Sequence, residues 1–121
     1  MLCRVLQDWI TVSCASPYTF IQGESSWVET SAYQDAHFVV DVRHADTTSL
    51  LLQFETAPAQ DSVLFSPMVA GLDLVPLVGL SKVVDCYANV VSGPPLASWL
   101  RWAIYGSANW NACFRITMVA L

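Results

Sequence analysis

Between Trp110 and Leu121 apolar and polar side chains alternate one by one. Ala112, Phe114, Ile116 and Met118 fall on one side of the chain, and Cys113, Arg115 and Thr117 on the other. A period of two marks an extended strand with one buried face, because successive side chains leave a strand in opposite directions. The same period recurs in Ala97–Tyr105, where Leu100, Trp102 and Ile104 alternate with Trp99, Arg101, Ala103 and Tyr105. It recurs again in His37–Ala45, where Phe38, Val40 and Val42 oppose His37, Asp41 and Arg43. Helical periodicity is hard to find, so the fold class is all-β.

The remaining segments fit the same class. Ser49–Glu55 is a Leu-rich strand running into Phe54, Thr56–Asp61 supplies a turn, and Val63–Phe65 returns as a short strand. Ser66-Pro67 should end it, since proline cannot donate to a ladder. Met1–Val12 reads as a strand with mixed faces, and Tyr18–Gln22, Ser26–Glu29 and Val78–Tyr87 as short strands. Pro76 and Gly79 limit Leu72–Leu80 to a helical turn at most. Ser92-Gly93-Pro94-Pro95 makes Asn89–Leu96 a loop. Roughly eight short strands separated by turns indicate an antiparallel β-sandwich of jelly-roll type. With 121 residues, the chain has the size of one domain spanning residues 1–121.

The two C-terminal runs are joined by Gly106-Ser107-Ala108-Asn109, short enough for a hairpin. Placing Leu100, Trp102, Phe114 and Ile116 inside sends Arg101 and Arg115 outside, because charge is costly in an apolar interior. A three-residue loop would pair Tyr105 with Asn109 and set Trp99 opposite Arg115. A five-residue loop would oppose Arg101 to Arg115, and facing like charges are destabilising. The shorter loop leaves Trp99, Arg101, Tyr105 and Arg115 on one outward surface. Trp, Tyr and Arg are the side chains that anchor protein interfaces, so these four are the candidate partner-binding residues. Most of the five tryptophans, Trp102 among them, are expected to fill the core.

Composition narrows the function. Hydrophobic residues make up 55% of the chain and charged residues 12%, against about 25% charged in ordinary domains. Disorder is excluded, and a surface so poor in charge points to coverage by protein partners, in an oligomer or a particle. Net charge is −5, and the five bases are scattered, so neither nucleic acid nor a membrane surface is an expected partner. The uncharged runs are too short and too polar to span a bilayer. Arg4 and Asp8 interrupt the only stretch where a signal peptide could build its apolar segment. The expected location is therefore the cytoplasm, with incorporation into a virion-like particle. Cys3, Cys14, Cys86 and Cys113 are widely spaced and expected to be reduced thiols.

Catalytic signatures are missing from the sequence. There is no phosphate-binding glycine loop, H-E-x-x-H or G-x-S-x-G, and the nearest string, Gly23-Glu24-Ser25-Ser26-Trp27, lacks the second glycine. The one polar cluster is Asp35, His37, Asp41, Arg43, His44 and Asp46. His37 and Asp41 share a strand face, but a metal site needs further ligands, so the cluster reads as a solvated face. No catalytic residue, metal or cofactor is expected.

Pro95-Leu96-Ala97-Ser98-Trp99-Leu100-Arg101-Trp102, followed by Phe114-Arg115-Ile116, resembles the closing strands of galactose-binding-like jelly rolls. In that family, which includes discoidin domains and many carbohydrate-binding modules, an aromatic often precedes an alternating hydrophobic-Arg-hydrophobic strand. Such domains also occur as small accessory proteins of phage-like particles. The resemblance and the composition together lead to the expectation of a non-enzymatic structural subunit, such as a capsid decoration protein. A carbohydrate-binding module is the alternative.

Overall fold

The structure, a computed structural model, describes residues 1–47, 49–68, 71–86 and 96–121, and of residues 82–86 only the backbone. The expected Asn89–Leu96 loop lies outside the described residues except for Leu96. Two antiparallel sheets face each other. One holds four strands in the order β1 (Leu2–Cys14), β10 (Trp110–Ala120), β4 (Ala36–Asp46) and β8 (Ser81–Cys86). The other runs β2 (Thr19–Ile21), β9 (Trp99–Gly106), β5 (Leu50–Ala57) and β6 (Ser66–Pro67). Two further short strands extend it, β3 (Val28–Glu29) beside β9 and β7 (Leu72–Asp73) beside β5. These are the β10 sheet and the β9 sheet below.

The strands pair in a nested order. β1 pairs with β10, β2 with β9, β4 with β8 and β5 with β6, so early strands meet late ones. β10 then lies between β1 and β4, and β9 lies between β2 and β5.

The core forms where the alternation placed it. Phe38, Val40 and Val42 of β4 and Phe114, Ile116 and Met118 of β10 are buried against Leu50, Leu52 and Phe54 of β5 and Leu100, Trp102 and Ile104 of β9. Aromatic rings bridge the layers: Phe38 stacks on Phe54 at 3.7 Å, and Trp102 meets Phe114 edge to face at 5.1 Å. Such pairs add to the burial of their own surface. Trp110 is also fully buried, its Nε1 donating to the Tyr18 carbonyl at 2.8 Å.

The expected C-terminal hairpin does not form. β9 and β10 belong to different sheets, and Gly106–Asn109 carries the chain from one layer to the other. The inward phases of both strands are as expected, but their apolar faces meet across the core rather than side by side. Gly106 permits the crossing, because a Cβ there would lie 2.6 Å from Cδ1 of Trp110. Its N–H donates to the Tyr18 carbonyl, the acceptor that also anchors Trp110.

Smaller differences follow local hydrogen bonding. Val63–Phe65 is not a strand: Ser62–Leu64 is a 3₁₀ turn, capped by the Asp61 carboxylate, which accepts from Val63 N–H. Ser66-Pro67 is itself the paired segment β6, at the sheet edge where proline is tolerated. Glu24–Ser26 is a 3₁₀ turn that leads into β3. The Leu72–Leu80 region holds a single 3₁₀ turn, Val75–Leu77, as Pro76 and Gly79 imply.

Candidate functional site

Each sheet has an outer face, and each outer face carries an arginine on its central strand. On the β9 sheet, Arg101 stands directly opposite Glu55 of β5. Arg101 Nε donates to Glu55 Oε1 at 2.8 Å, and its Nη1 reaches Ser62 Oγ at 3.2 Å. Tyr105, four residues further along the strand and on the same face, donates its hydroxyl to Glu55 Oε2 at 2.7 Å. Both carboxylate oxygens therefore hold a donor.

This cluster is roofed. The guanidinium lies 4.0 Å from the Phe65 ring centre and 5.1 Å from that of Trp27, and the two rings touch edge to face at 4.8 Å. Trp27 is fixed by its Nε1, which donates to the Gln22 carbonyl at 2.7 Å. The buried Gln22 side chain in turn accepts from Trp102 N–H and donates to the Leu6 carbonyl. Arg101 is 5% exposed and Glu55 4%. Burial, the hydrogen bond to Glu55 and the charge of Glu55 push the Tyr105 phenol up to about 12, against a smaller opposing effect of Arg101. Tyr105 is thus a proton donor in the network at neutral pH. With its donors and acceptors matched to one another, the cluster is built to hold the sheet to its covering loops.

The β10 sheet differs. Trp9 of β1 reaches its outer face, where the guanidinium of Arg43 lies 4.1 Å and that of Arg115 5.1 Å from the indole. Arg115 Nη2 donates to Asp41 Oδ2 at 3.3 Å, and the other Asp41 oxygen accepts from the Ser81 hydroxyl. These side chains line a hollow of about 250 Å³, completed by Val42, Gly79 and Leu80. Its described charged groups are two guanidiniums and one carboxylate. The Arg115 and Asp41 side chains are 39% and 17% exposed.

The four candidate partner-binding residues are therefore not one patch. Trp99, Arg101 and Tyr105 share the outer face of the β9 sheet, while Arg115 lies on the β10 sheet on the other side of the molecule. Arg101 points outward as expected, yet the roof of Trp27 and Phe65 buries it. Trp99 and Tyr105 are half-buried. The feared opposition of Arg101 to Arg115 never arises, because each arginine faces a carboxylate from a neighbouring strand.

Sequence reasoning missed Trp9 as a surface residue. The pairing of β1 with β10 slips between Val5 and Gln7 and again between Gln7 and Ile10, so alternation cannot assign Trp9 a face. Of the polar cluster, Asp41 is committed to Arg115 and Ser81. Among the described residues no group of three or more His, Cys, Asp or Glu side chains could hold a metal ion. Cys3, Cys14 and Cys113 carry free thiols. No described helix is long and apolar enough to cross a membrane.

No family model matches this chain, and no curated protein matches it. Among solved structures it is similar to a chain in the structure of infectious bursal disease virus Gx strain, with a TM-score of 0.48 and 11% sequence identity. The similarity covers 97% of this chain and 31% of that one.

Proposed function

We propose that the chain is a non-enzymatic structural subunit of a larger protein assembly, such as a decoration or accessory protein of a particle. In this reading it is a jelly roll docked against neighbouring subunits through the outer face of its β10 sheet. The nested pairing supports the jelly-roll wiring: folding one long antiparallel ribbon back on itself joins first strand to last, and rolling it up brings β10 beside β4 and β9 beside β5. Jelly rolls of two such sheets serve as capsid and lectin domains.

The observation that carries the docking reading is the difference in cover between the two outer faces among the described residues. The chain's own loops lay Trp27 and Phe65 over the β9 sheet. On the β10 sheet, Val5 stands opposite Thr117 and Thr117 opposite Val39, and Val5 is 52% exposed. Val78 and Leu80, 43% and 59% exposed, lie at the rim. Two valines flanking a threonine, beside a tryptophan and two arginines, have the composition of an interface core. The carbohydrate-binding alternative has less support, because stacking a sugar needs a bare ring. Trp9 and Trp27 each have a guanidinium over the indole.

Sedimentation velocity over a range of concentrations tests the reading. Association of the wild-type chain is expected. It should be lost in the Val5→Asp, Thr117→Asp double variant, with an unchanged circular dichroism spectrum. A wild-type chain that stays monomeric throughout, or a double variant that assembles normally, would overturn it.

A further inference from the structure

Within the docking face proposed above, and resting on that reading, the geometry points to a more specific device. We propose that the hollow beside Trp9 is a carboxylate-binding site, which receives an aspartate or glutamate side chain presented by a neighbouring protein subunit. Arg43 and Arg115 bring two guanidiniums to one indole, and among the described residues Asp41 is the one carboxylate lining the hollow. Its described lining therefore carries one positive charge in excess, in a chain whose net charge is −5 and which has five Lys and Arg in all. Two of those five are concentrated here.

Hydrogen-bonding capacity points the same way. Asp41 takes one bond from Arg115, at 3.3 Å, and its other oxygen is held by Ser81. Arg115 Nε is enclosed and has no acceptor among the described residues. That enclosed Nε is out of an incoming anion's reach, but the Arg115 side chain is 39% exposed, and an additional anion would bond its remaining Nη donors. Arg43 is exposed, and its planar fork suits a carboxylate. The single excess charge matches a carboxylate better than a phosphate dianion. Leu80, 59% exposed, offers apolar surface to the methylenes that carry an acidic group. At about 250 Å³ the hollow has room for such a side chain.

The test is a titration of the isolated chain followed by nuclear magnetic resonance at the Trp9 indole N–H, assigned through Trp9→Phe. The probes are a blocked glycine-rich peptide with one central glutamate, its glutamine counterpart, and inorganic phosphate. The glutamate peptide should shift the Trp9 signal and saturate, and the glutamine peptide should not. Arg43→Gln, at an exposed position, should weaken binding by roughly tenfold, as expected for the loss of one charge-assisted hydrogen bond. Arg43→Lys should give an intermediate loss. An unmoved Trp9 signal, equal shifts from both peptides, or tighter binding of phosphate than of the glutamate peptide would each overturn the proposal. Sedimentation separates this failure from that of the docking reading. A chain that self-associates but ignores glutamate loses the carboxylate site alone, and one that binds glutamate yet remains monomeric loses the assembly alone.

Discussion

The two outer faces use the same parts under different conditions. Each sets an arginine of its central strand opposite a carboxylate, Arg101 with Glu55 and Arg115 with Asp41, and each brings a tryptophan to the guanidinium. Under Trp27 and Phe65 the first pair has side chains 6% exposed on both partners and a 2.8 Å contact. The second is open at 39% and 17%, with a 3.3 Å contact. Desolvation is the difference. Removing both charges from water is expensive and is offset only when geometry and further hydrogen bonds are good, which Ser62 and Tyr105 supply for the first pair. The open pair keeps part of its hydration, so it contributes less to stability than the sealed one.

The sharpest way to break this comparison is to remove one carboxylate at a time. Glu55→Ala should cost about 3–5 kcal/mol in urea unfolding, because it strands a buried guanidinium. Replacing Glu55 and Arg101 together by methionine should recover most of that loss, since a buried pair gains little over apolar side chains of similar size. If Glu55→Ala proved nearly neutral, water would have to reach Arg101, and the roof would not seal the pair.

Removing the roof comes next. Trp27→Ala should cost about 2–3 kcal/mol, combining lost apolar burial with the lost ring contact to Arg101. It should also make the stability of the Arg101–Glu55 pair sensitive to salt, as screening reaches it. Denaturant midpoints at low and high ionic strength would show this.

Tyr105→Phe is a smaller change with a distinctive pH signature. It should cost about 1 kcal/mol at neutral pH for one hydrogen bond. The folded phenol is raised from 10.0 to about 12, so Tyr105 contributes its full stability below pH 10 and loses it as pH rises towards 12, where the unfolded phenol ionises first. The wild-type chain should therefore lose more stability than Tyr105→Phe between those two pH values. Parallel slopes in alkaline unfolding curves would remove the Tyr105–Glu55 bond from the account.

The smallest effect belongs to the open face. Asp41→Ala should change stability by less than about 1 kcal/mol, because its pair with Arg115 is only partly desolvated. A loss as large as that of Glu55→Ala would show the two faces to be equivalent and would end the comparison.

The sequence was enough to settle which side of each long strand faces inward. Phe38, Val40, Leu100, Trp102, Ile104, Phe114 and Ile116 all lie in the core, because a two-residue period is a local property of extended backbone. It could not settle which sheet a strand joins. A short Gly-Ser-Ala-Asn segment serves a hairpin and an inter-sheet crossing alike, and the choice depends on partners far away in sequence. β10 is claimed by β1 and β4, and β9 by β2 and β5. That choice sent Arg115 to one face of the molecule and Trp99, Arg101 and Tyr105 to the other, and so divided the expected patch. Exposure was likewise a tertiary matter, since alternation gives direction and not depth. Arg101 points outward as its phase requires, and only the packing of Trp27 and Phe65, from loops far from it in sequence, removes it from water. Trp9 was illegible for the opposite reason, because two slips in the β1 register erase the period on which any local reading depends.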